Sequence, residues 1–279
     1  SPSCPIDVTQ TGSLLGCGHG LDGGYHGPMA EPLIRDRRDG GVRSLTIDRP
    51  PVNVQTIAVL VELAAALRTI GDADRLLVLS GAGPHFSAGV DVAEHLPPAG
   101  AAMLDAVESL FEVLAGVPIP TLAVVRGACL GGGFELALAC DLVLAADDAR
   151  FALPEIRLGC FPPIAAEVLP ERLGGALARD LLMTGRELDG RSAAALGLVS
   201  RSVPEADLER TAGALAAEVA ALSPIALRAL KKVLRRGGAF RVYREEVLHS
   251  PEAAAGLQGF LDRRRVPSRQ PLDKEGPPT

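Results

Sequence analysis

Three consecutive glycines, 131–133, constrain this chain more than any other feature, because they separate two apolar segments of different character. The β-branched run from Thr121 to Val125 before them is typical of a buried strand. The good helix formers from Phe134 to Cys140 after them predict a short helix with Glu135 in its first turn. Glycine lacks a Cβ atom, so the turn between strand and helix allows the close approach of a ligand.

Two carboxylates, Glu135 and Glu155, lie twenty positions apart around a predicted strand from Leu142 to Ala145. N–H groups at a helix start can stabilise an oxyanion, and two carboxylates that face one substrate can divide base and acid roles. Each part alone has a simpler interpretation. A glycine triplet is more often only a turn, and a glutamate in a first helical turn usually interacts with the helix dipole. No Gly-Lys-Ser/Thr follows the glycines, which excludes a nucleotide phosphate loop.

The composition bounds the class of protein. A length of 279 residues allows a large core in one domain, with a possible appendage. The hydrophobic content is 47% without a long uncharged apolar segment outside the alanine-rich helices, so we expect a soluble protein with no membrane partner. The net charge of −6 argues against nucleic acid as a general partner. The five cysteines show no paired spacing and no signal peptide is recognised, so we expect a cytoplasmic location.

Positive charge is concentrated near the C-terminus, where residues 221–270 contain eleven Lys or Arg and four Asp or Glu. Two interpretations stay open. The excess is either a solvated helix face or a binding site for a polyanionic small molecule.

The order of elements predicts an α/β fold with parallel strands. Residues 1–30 are rich in Gly, Ser and Pro and predict a flexible N-terminal extension, whose Cys17, His19 and His26 lack the fourth ligand of a metal site. The sequence predicts a hairpin of two strands at 32–38 and 42–48, and it predicts only helices from Ser223 onward. Further helices are predicted at 57–70, 101–115, 165–171, 176–184, 190–195, 206–222, 225–236, 240–250 and 251–264, with strands at 76–80 and 198–203.

The whole string from Arg126 to Cys160, together with His85 to Val92, resembles the enoyl-CoA hydratase/isomerase (crotonase) superfamily over about residues 32–266. The resemblance implies a crotonase-like ββα spiral core at 31–222. It also implies a C-terminal helical region at 223–266 that caps the active site and helps trimer contacts, followed by a tail at 267–279. A homotrimer or a dimer of trimers is expected on the same ground.

The resemblance also implies the site and its chemistry. The backbone N–H groups of Ala88 and Gly132 carry over as the oxyanion hole, and Glu135 and Glu155 carry over as the main base and the main acid of a hydratase. The substrate would be an α,β-unsaturated acyl-CoA, with no metal or redox cofactor. Two alternatives stay open: the amides belong only to structural turns, or Glu155 pairs with Arg157 or Arg186.

Two further segments resemble the branch of hydratases that act on cyclohexa-1,5-diene-1-carbonyl-CoA, namely 50–54 and 86–92. Phe161 would add an apolar wall for a ring beside Pro162, although both can equally be a packing variation. The substrate and CoA contacts implied by the resemblance are Ser87, Gly89, Val90, Asp91, Val92 and Gly131, with the phosphates of CoA near Arg228, Lys231 and Lys232.

Rival functions share parts of this pattern. An enoyl-CoA isomerase, a ring-cleaving enzyme or a decarboxylase would keep the oxyanion hole, and a non-catalytic crotonase-fold RNA-binding protein would need neither glutamate. The presence of both Glu135 and Glu155, together with the acidic net charge, favours hydration.

Overall fold

The computed structural model describes residues 32–264. The predicted N-terminal extension, with Cys17, His19 and His26, lies outside the described residues, and so does the predicted tail at 267–279.

Strands and helices alternate through the first two thirds of the described chain, and helices follow. The strands are β1 (Ile34–Asp39), β2 (Val42–Ile47), β3 (Leu76–Gly81), β4 (Thr121–Val125), β5 (Ala128–Leu130), β6 (Leu142–Ala146), β7 (Arg150–Ala152), β8 (Leu188–Asp189) and β9 (Arg201–Val203). The helices are α1 (Ile57–Arg68), α2 (Gly100–Gly116), α3 (Gly132–Leu138), α4 (Pro163–Leu173), α5 (Gly175–Thr184), α6 (Gly190–Ala195), α7 (Glu205–Ala220), α8 (Pro224–Arg236), α9 (Ala239–Val242) and α10 (Pro251–Arg264). Two 3₁₀ turns, Ala93–His95 and Pro154–Leu158, and one π turn, Tyr243–Val247, connect them.

The strands form two sheets. The larger has the order β1-β2-β3-β4-β6-β9, and the smaller has the order β5-β7-β8. Strands β1 and β2 form the predicted antiparallel hairpin, while the other neighbours in the larger sheet are parallel. Parallel neighbours need a crossover connection, which α1 supplies between β2 and β3 and α2 supplies between β3 and β4.

The chain passes repeatedly from the larger sheet to the smaller one and then into a helix. Strand β4 belongs to the larger sheet, β5 belongs to the smaller sheet, and α3 follows. Strand β6 returns to the larger sheet, β7 to the smaller, and α4 and α5 follow. This strand–strand–helix unit agrees with the predicted ββα spiral.

The core lies between the larger sheet and its crossover helices. All five residues of β4 are buried, as expected for a central parallel strand. Helix α1 begins at Thr56, whose side chain accepts a hydrogen bond from Val59 N. The buried faces repeat at helical spacing and consist of Val59, Leu60, Leu63, Ala64 and Leu67 on α1 and Met103, Val107, Leu110, Phe111 and Leu114 on α2.

Two predicted elements differ from the structure. The strand predicted at 198–203 is shortened to β9, because the N–H groups of Leu198 and Val199 turn back to Ala193 O. The helix predicted at 240–250 is interrupted, because Leu248 N bonds Tyr243 O five residues earlier and forms a π turn.

The C-terminal helical region begins with α8 at Pro224, and Ser223 Oγ accepts a hydrogen bond from Ala226 N at 3.3 Å. Several large apolar side chains of this region are exposed in the single chain: Leu230, Leu234, Phe240, Tyr243, Leu248, Leu257 and Leu261. The homotrimer or dimer of trimers stays a prediction.

Between residues 32 and 264, no single helix has the length and apolar character needed to cross a membrane. The pair formed by α7 and α8 passes that test only when the two are taken together, and it is bent by 100°.

Candidate active site

The glycine turn stands where two parallel strands of the smaller sheet end. Leu130 of β5 lies opposite Ala152 of β7, so Gly131 and the segment from Leu153 onward leave the same edge of the sheet. Gly131 N donates a hydrogen bond to Ala152 O at 2.9 Å, which ties the turn to its neighbour. The register of two strands therefore brings the glycines and Glu155 together.

Glu155 lies directly against Gly131. A Cβ atom at Gly131 would be 2.5 Å from Glu155 Oε1, closer than two such atoms can approach. Gly131 also has a φ of +51°, a conformation that favours glycine. Glu155 is half-buried, and its Oε2 is enclosed without a hydrogen-bond partner in the described part of the chain. This oxygen is available to a ligand.

Glu135 projects from the first turn of α3 toward the start of α4. Its side chain is 3% exposed, and Oε1 accepts a hydrogen bond from Ala165 N at 2.9 Å. Helix α4 begins with Pro163, and the first N–H groups of a helix have no partner within the helix. Pro162 and Pro163 therefore lack only donors that the helix does not use, and the Glu135 carboxylate of α3 accepts the hydrogen bond of Ala165 N in the same first turn.

Both glutamates have raised pKa values. Burial is the main cause for Glu135, the nearby charge of Glu155 adds to it, and hydrogen bonds from Ala165 and Ile164 oppose it, which together raise the pKa of Glu135 to about 7. Burial also raises the pKa of Glu155, against its own backbone hydrogen bond and the charge of His95. The effect of the Glu155 charge on the pKa of Glu135 indicates that both carboxyl groups belong to one site.

The predicted salt-bridge partners of Glu155 bind elsewhere. Arg157 donates to the carbonyl oxygens of Thr184 and Gly185, and Arg186 pairs with Asp180. Within residues 32–264, Glu155 has no ion pair with either arginine.

The 87–92 loop is fixed on both sides by backbone hydrogen bonds. Ser87 bonds the strand that leads to the glycines, with Ser87 N to Ala128 O at 3.0 Å and Leu130 N to Ser87 O at 2.9 Å. On the other side, Gln55 N bonds Gly89 O at 2.8 Å, and Asp91 N bonds Gln55 O at 3.1 Å. The loop therefore lies beside the glycine turn.

Ala88 cannot supply a free N–H in this structure, which corrects the sequence prediction. Its N–H donates to Val52 O at 2.9 Å. The N–H of Val90, two residues later, has no acceptor among the described residues and points from the same loop. A Cβ atom at Gly132 would lie 3.5 Å from Val90 N, and one at Gly89 would lie 3.3 Å from Gly132 N. The amides of Val90 and Gly132 are thus neighbours.

The other predicted loop residues have mixed positions. Ser87 is fully buried, and its Oγ donates to Asn53 O at 2.7 Å and accepts from Gly89 N at 3.1 Å. Asp91 Oδ1 accepts from Ala93 N, and Val92 is 58% exposed. Ser87 and Gly89 therefore shape the loop, whereas Val92 lies at its surface.

The segment before α4 presents Phe161 to solvent. Phe161 is 67% exposed, whereas Pro162 beside it is buried. The predicted apolar wall is therefore not enclosed within the single chain, although Phe161 lies only four residues from the amide that binds Glu135.

The predicted phosphate contacts Arg228, Lys231 and Lys232 line an open cavity of about 790 Å³. Leu138 of α3 and Ile164 of α4 also line this cavity. Lys231 is 5% exposed, and its Nζ lies 2.6 Å from both Ile119 O and Asp141 Oδ2. This internal pairing corrects the prediction for Lys231, whose charge is already neutralised. Arg228 pairs with Asp72 and Lys232 with Glu246, and both are more exposed.

Comparison with known proteins shows the family of the chain. The sequence profile of the family described as Enoyl-CoA hydratase/isomerase matches residues 37–266. The chain belongs to that family. A cyclohexa-1,5-dienecarbonyl-CoA hydratase of Thauera aromatica is 38% identical over 241 residues, covering 81% of this chain and 92% of the relative. A carnitinyl-CoA dehydratase of Citrobacter koseri is 34% identical over 248 residues, covering 81% and 94%.

Solved structures show the same fold. The crystal structure of an enoyl-CoA hydratase from Bacillus anthracis has a TM-score of 0.77 at 30% identity and covers 83% of this chain and 96% of its own. The predicted family and the crotonase-like α/β fold are confirmed, as is the enzyme class, a hydro-lyase of the enoyl-CoA hydratase type.

Sequence reasoning missed three groups that lie beside the two glutamates and the glycine turn. The amide of Val90 was expected only as a substrate contact, and Ala165 N and the side chain of Gln55 were not expected at all. No motif marks a backbone amide as free, since that depends on which carbonyl lies opposite it. The pattern Ser87-x-Gly89, whose side chain and amide bond each other, could have indicated the loop turn.

Proposed function

We propose that the protein adds water to the double bond of an α,β-unsaturated acyl-CoA thioester, by means of an oxyanion-stabilised enolate and two glutamates. One observation carries this proposal: Glu135, with a pKa raised to about 7, shares a site with the half-buried carboxyl group of Glu155. A carboxyl group with a pKa of about 7, beside a second carboxyl group whose pKa is also raised, suits acid–base chemistry at physiological pH.

The thioester oxygen would accept hydrogen bonds from the N–H groups of Val90 and Gly132. Conjugation makes the β-carbon electrophilic, and addition there moves negative charge onto the thioester oxygen. Fixed amide dipoles stabilise that charge more strongly than they stabilise the neutral carbonyl, and loss of one such donor typically costs roughly 10²–10³ in rate. The proximity of the two amides supports this role.

Glu135 is proposed as the main base. The hydrogen bond from Ala165 N holds Oε1, so Oε2 is the oxygen that takes a proton from water as the water oxygen bonds to the β-carbon. A pKa of about 7 leaves a large fraction of the carboxylate form at neutral pH without making it a weak base.

Glu155 is proposed as the main acid. Its raised pKa favours the protonated form, which gives its proton to the α-carbon as the enolate collapses. One water molecule is then added across the double bond, Glu135 has gained a proton, and Glu155 has lost one, which solvent exchange reverses. Because the carboxyl groups are coupled, these roles describe the pair as much as each residue.

A cyclic dienoyl thioester is the proposed substrate class. The 38% identical relative named for such a substrate supports this, and so does the rigid Pro162-Pro163 start of α4 directly after Phe161. An aromatic side chain at the mouth of the site would pack against a flat ring. Coenzyme A would lie along the 87–92 loop, with Arg228 and Lys232 as the proposed phosphate contacts.

The test of the substrate is an absorbance assay with crotonyl-CoA and, separately, with cyclohexa-1,5-diene-1-carbonyl-CoA. The proposal expects loss of the conjugated-thioester band with the cyclic diene at a higher kcat/KM. Phe161→Ala should reduce the preference for the cyclic diene over crotonyl-CoA. Phe240→Ala, which changes an even more exposed phenylalanine on α9, should not. Turnover of crotonyl-CoA alone would contradict the cyclic substrate, and silence with both would contradict the hydratase proposal.

No metal or redox cofactor takes part in this scheme. Among residues 32–264, no cluster of three or more His, Cys, Asp or Glu side chains could hold a metal ion. Because the scheme uses only backbone amides and two carboxyl groups, it expects full activity after dialysis against a chelator, and restoration of lost activity by an added divalent cation would contradict it.

A further inference from the structure

Gln55 is a buried polar residue that the mechanism above does not use. It is 1% exposed and lies between the Pro50-Pro51 turn and α1. Its backbone forms an isolated parallel bridge with Val90, through Gln55 N to Gly89 O and Asp91 N to Gln55 O. Gln55 is therefore fixed to the loop that carries one of the two free amides.

The side chain of Gln55 lies against the residue that carries the other amide. A Cβ atom at Gly132 would be 3.2 Å from Gln55 Oε1 and 2.7 Å from Val90 Cγ2. The adjacent Gly131 meets the carboxylate of Glu155 in the same way. A carboxamide and a carboxylate thus approach two successive residues of the glycine turn.

The carboxamide is not satisfied within the protein. Gln55 Nε2 is enclosed and has no hydrogen-bond partner in the described part of the chain. An unpaired buried polar group of this kind typically costs about 1–3 kcal/mol, whereas an apolar side chain of similar shape would carry no such penalty. The fold alone therefore gives no reason for an amide here, and a bound ligand would supply the missing acceptor.

We propose that Gln55 is a third polar contact of the acyl-thioester site, whose carboxamide donates a hydrogen bond to the thioester oxygen beside the amides of Val90 and Gly132. The proposal rests on the proposed function, because it assigns a further donor to the same oxygen. A carboxamide donor strengthens as charge develops on that oxygen, so Gln55 contributes to the rate as well as to binding.

The test uses a chromophoric enoyl thioester, 4-dimethylaminocinnamoyl-CoA, whose absorbance moves to longer wavelength when its carbonyl oxygen is polarised. We expect the full-length protein to produce this red shift and Gln55→Met to reduce it. The same substitution should lower kcat by about tenfold or more with the hydrated substrate. Because Met removes the unpaired amide and keeps an unbranched side chain, Tm should stay equal or rise.

A second variant separates a chemical role from a structural one. In Gln55→Glu the new side chain becomes a negatively charged acceptor at high pH. The red shift of the thioester bound to this variant should therefore decrease as the pH rises and increase again as the pH falls. Gln258→Leu, which changes an exposed glutamine on α10, serves as the matched control and should behave as the wild type.

The outcomes distinguish the two proposals. A wild-type red shift that Gln55→Met leaves unchanged overturns the role of Gln55 and leaves the hydratase proposal intact. A red shift that depends on Gln55, without turnover of any enoyl thioester, supports the contact and contradicts hydration. The absence of any red shift in the wild type contradicts both.

Discussion

Glu155 brings its carboxylate to the position where a side chain at Gly131 would begin, because a Cβ atom there would lie 2.5 Å from Glu155 Oε1. This contact depends on the pairing of β5 with β7. Gly131 follows the end of β5, and the segment that carries Glu155 follows the end of β7 at the same edge of the smaller sheet. Gly131 is thus required twice, by its φ of +51° and by the carboxylate that approaches it.

Gly131→Ala should reduce turnover strongly, because the new methyl group would displace the Glu155 carboxylate from the site. We expect kcat to fall by roughly 10²-fold or more, since small misplacements of catalytic groups have effects of that size. The measurement is kcat together with Tm. Gly174→Ala is the matched control: its φ of +76° is also positive, but nothing lies within 4 Å of the added Cβ.

If Gly174→Ala lost as much activity as Gly131→Ala, the loss would be due to general backbone strain and not to displacement of Glu155. A Gly131→Ala enzyme with wild-type kcat would show that the position of Glu155 does not matter for turnover.

The pH dependence of hydration should have two opposing limbs, one set by each glutamate. Glu135 must be ionised to act as a base, so kcat/KM should rise with pH through the pKa of about 7. Glu155 must be protonated to act as an acid, so its raised pKa sets the opposing limb. A rate profile in a constant-ionic-strength buffer checks this. An acidic limb near the ordinary glutamate pKa of 4.5 would remove Glu135 from the role of buried base.

The stability of the protein should depend on Glu135 in a pH-dependent way. Its folded-state pKa is raised from 4.5 to about 7, so the contribution of this carboxyl group to stability is present below pH 4.5 and is lost as the pH rises through 7. Glutamine cannot ionise, so Glu135→Gln should unfold at a higher temperature than the wild type at about pH 8.5, by a difference that shrinks toward about pH 5. A calorimetric Tm series tests this, and a difference that grows toward acid pH would contradict the sign.

The two loop amides can be separated by replacing single backbone N–H groups with ester oxygens. An ester at Val90 should lower kcat by roughly 10²–10³, as loss of an oxyanion donor does. An ester at Ala88 should leave kcat nearly unchanged and lower stability by about 1 kcal/mol, because it breaks the hydrogen bond to Val52 O. The reverse pattern would restore Ala88 as the donor.

The sequence predicted the elements that local chemistry determines. The apolar run of β4 and the helix formers of α3 predicted a strand before the glycines and a helix after them, but β5, which directly precedes the glycines, was not predicted. Both glutamates were identified through the family resemblance. Residue patterns cannot reveal which N–H groups stay unpaired, because that depends on carbonyls far away in sequence. Ala88 N donates to Val52 O, and Val90 N is the amide of this loop without an acceptor among the described residues.

Tertiary contacts also explain the error at Lys231. Lys231 belongs to a charged helix face in sequence, but the fold turns it toward Asp141 and Ile119 O in the interior. Gln55 could not be predicted either, because the fold leaves its amide without a partner instead of pairing it. Its surroundings in sequence are ordinary, and only the approach of the Gly132 turn shows that its amide is buried without a partner.

The most direct measurement of the central claim is the rate at which purified protein consumes the absorbance of a conjugated acyl-CoA, recorded in parallel for the wild type, Glu135→Gln and Glu155→Gln. The wild type should turn over, and each variant should lose roughly 10²–10⁴ in kcat while it remains folded. Near-wild-type turnover in either folded variant, or none in the wild type, would contradict the two-glutamate hydration mechanism.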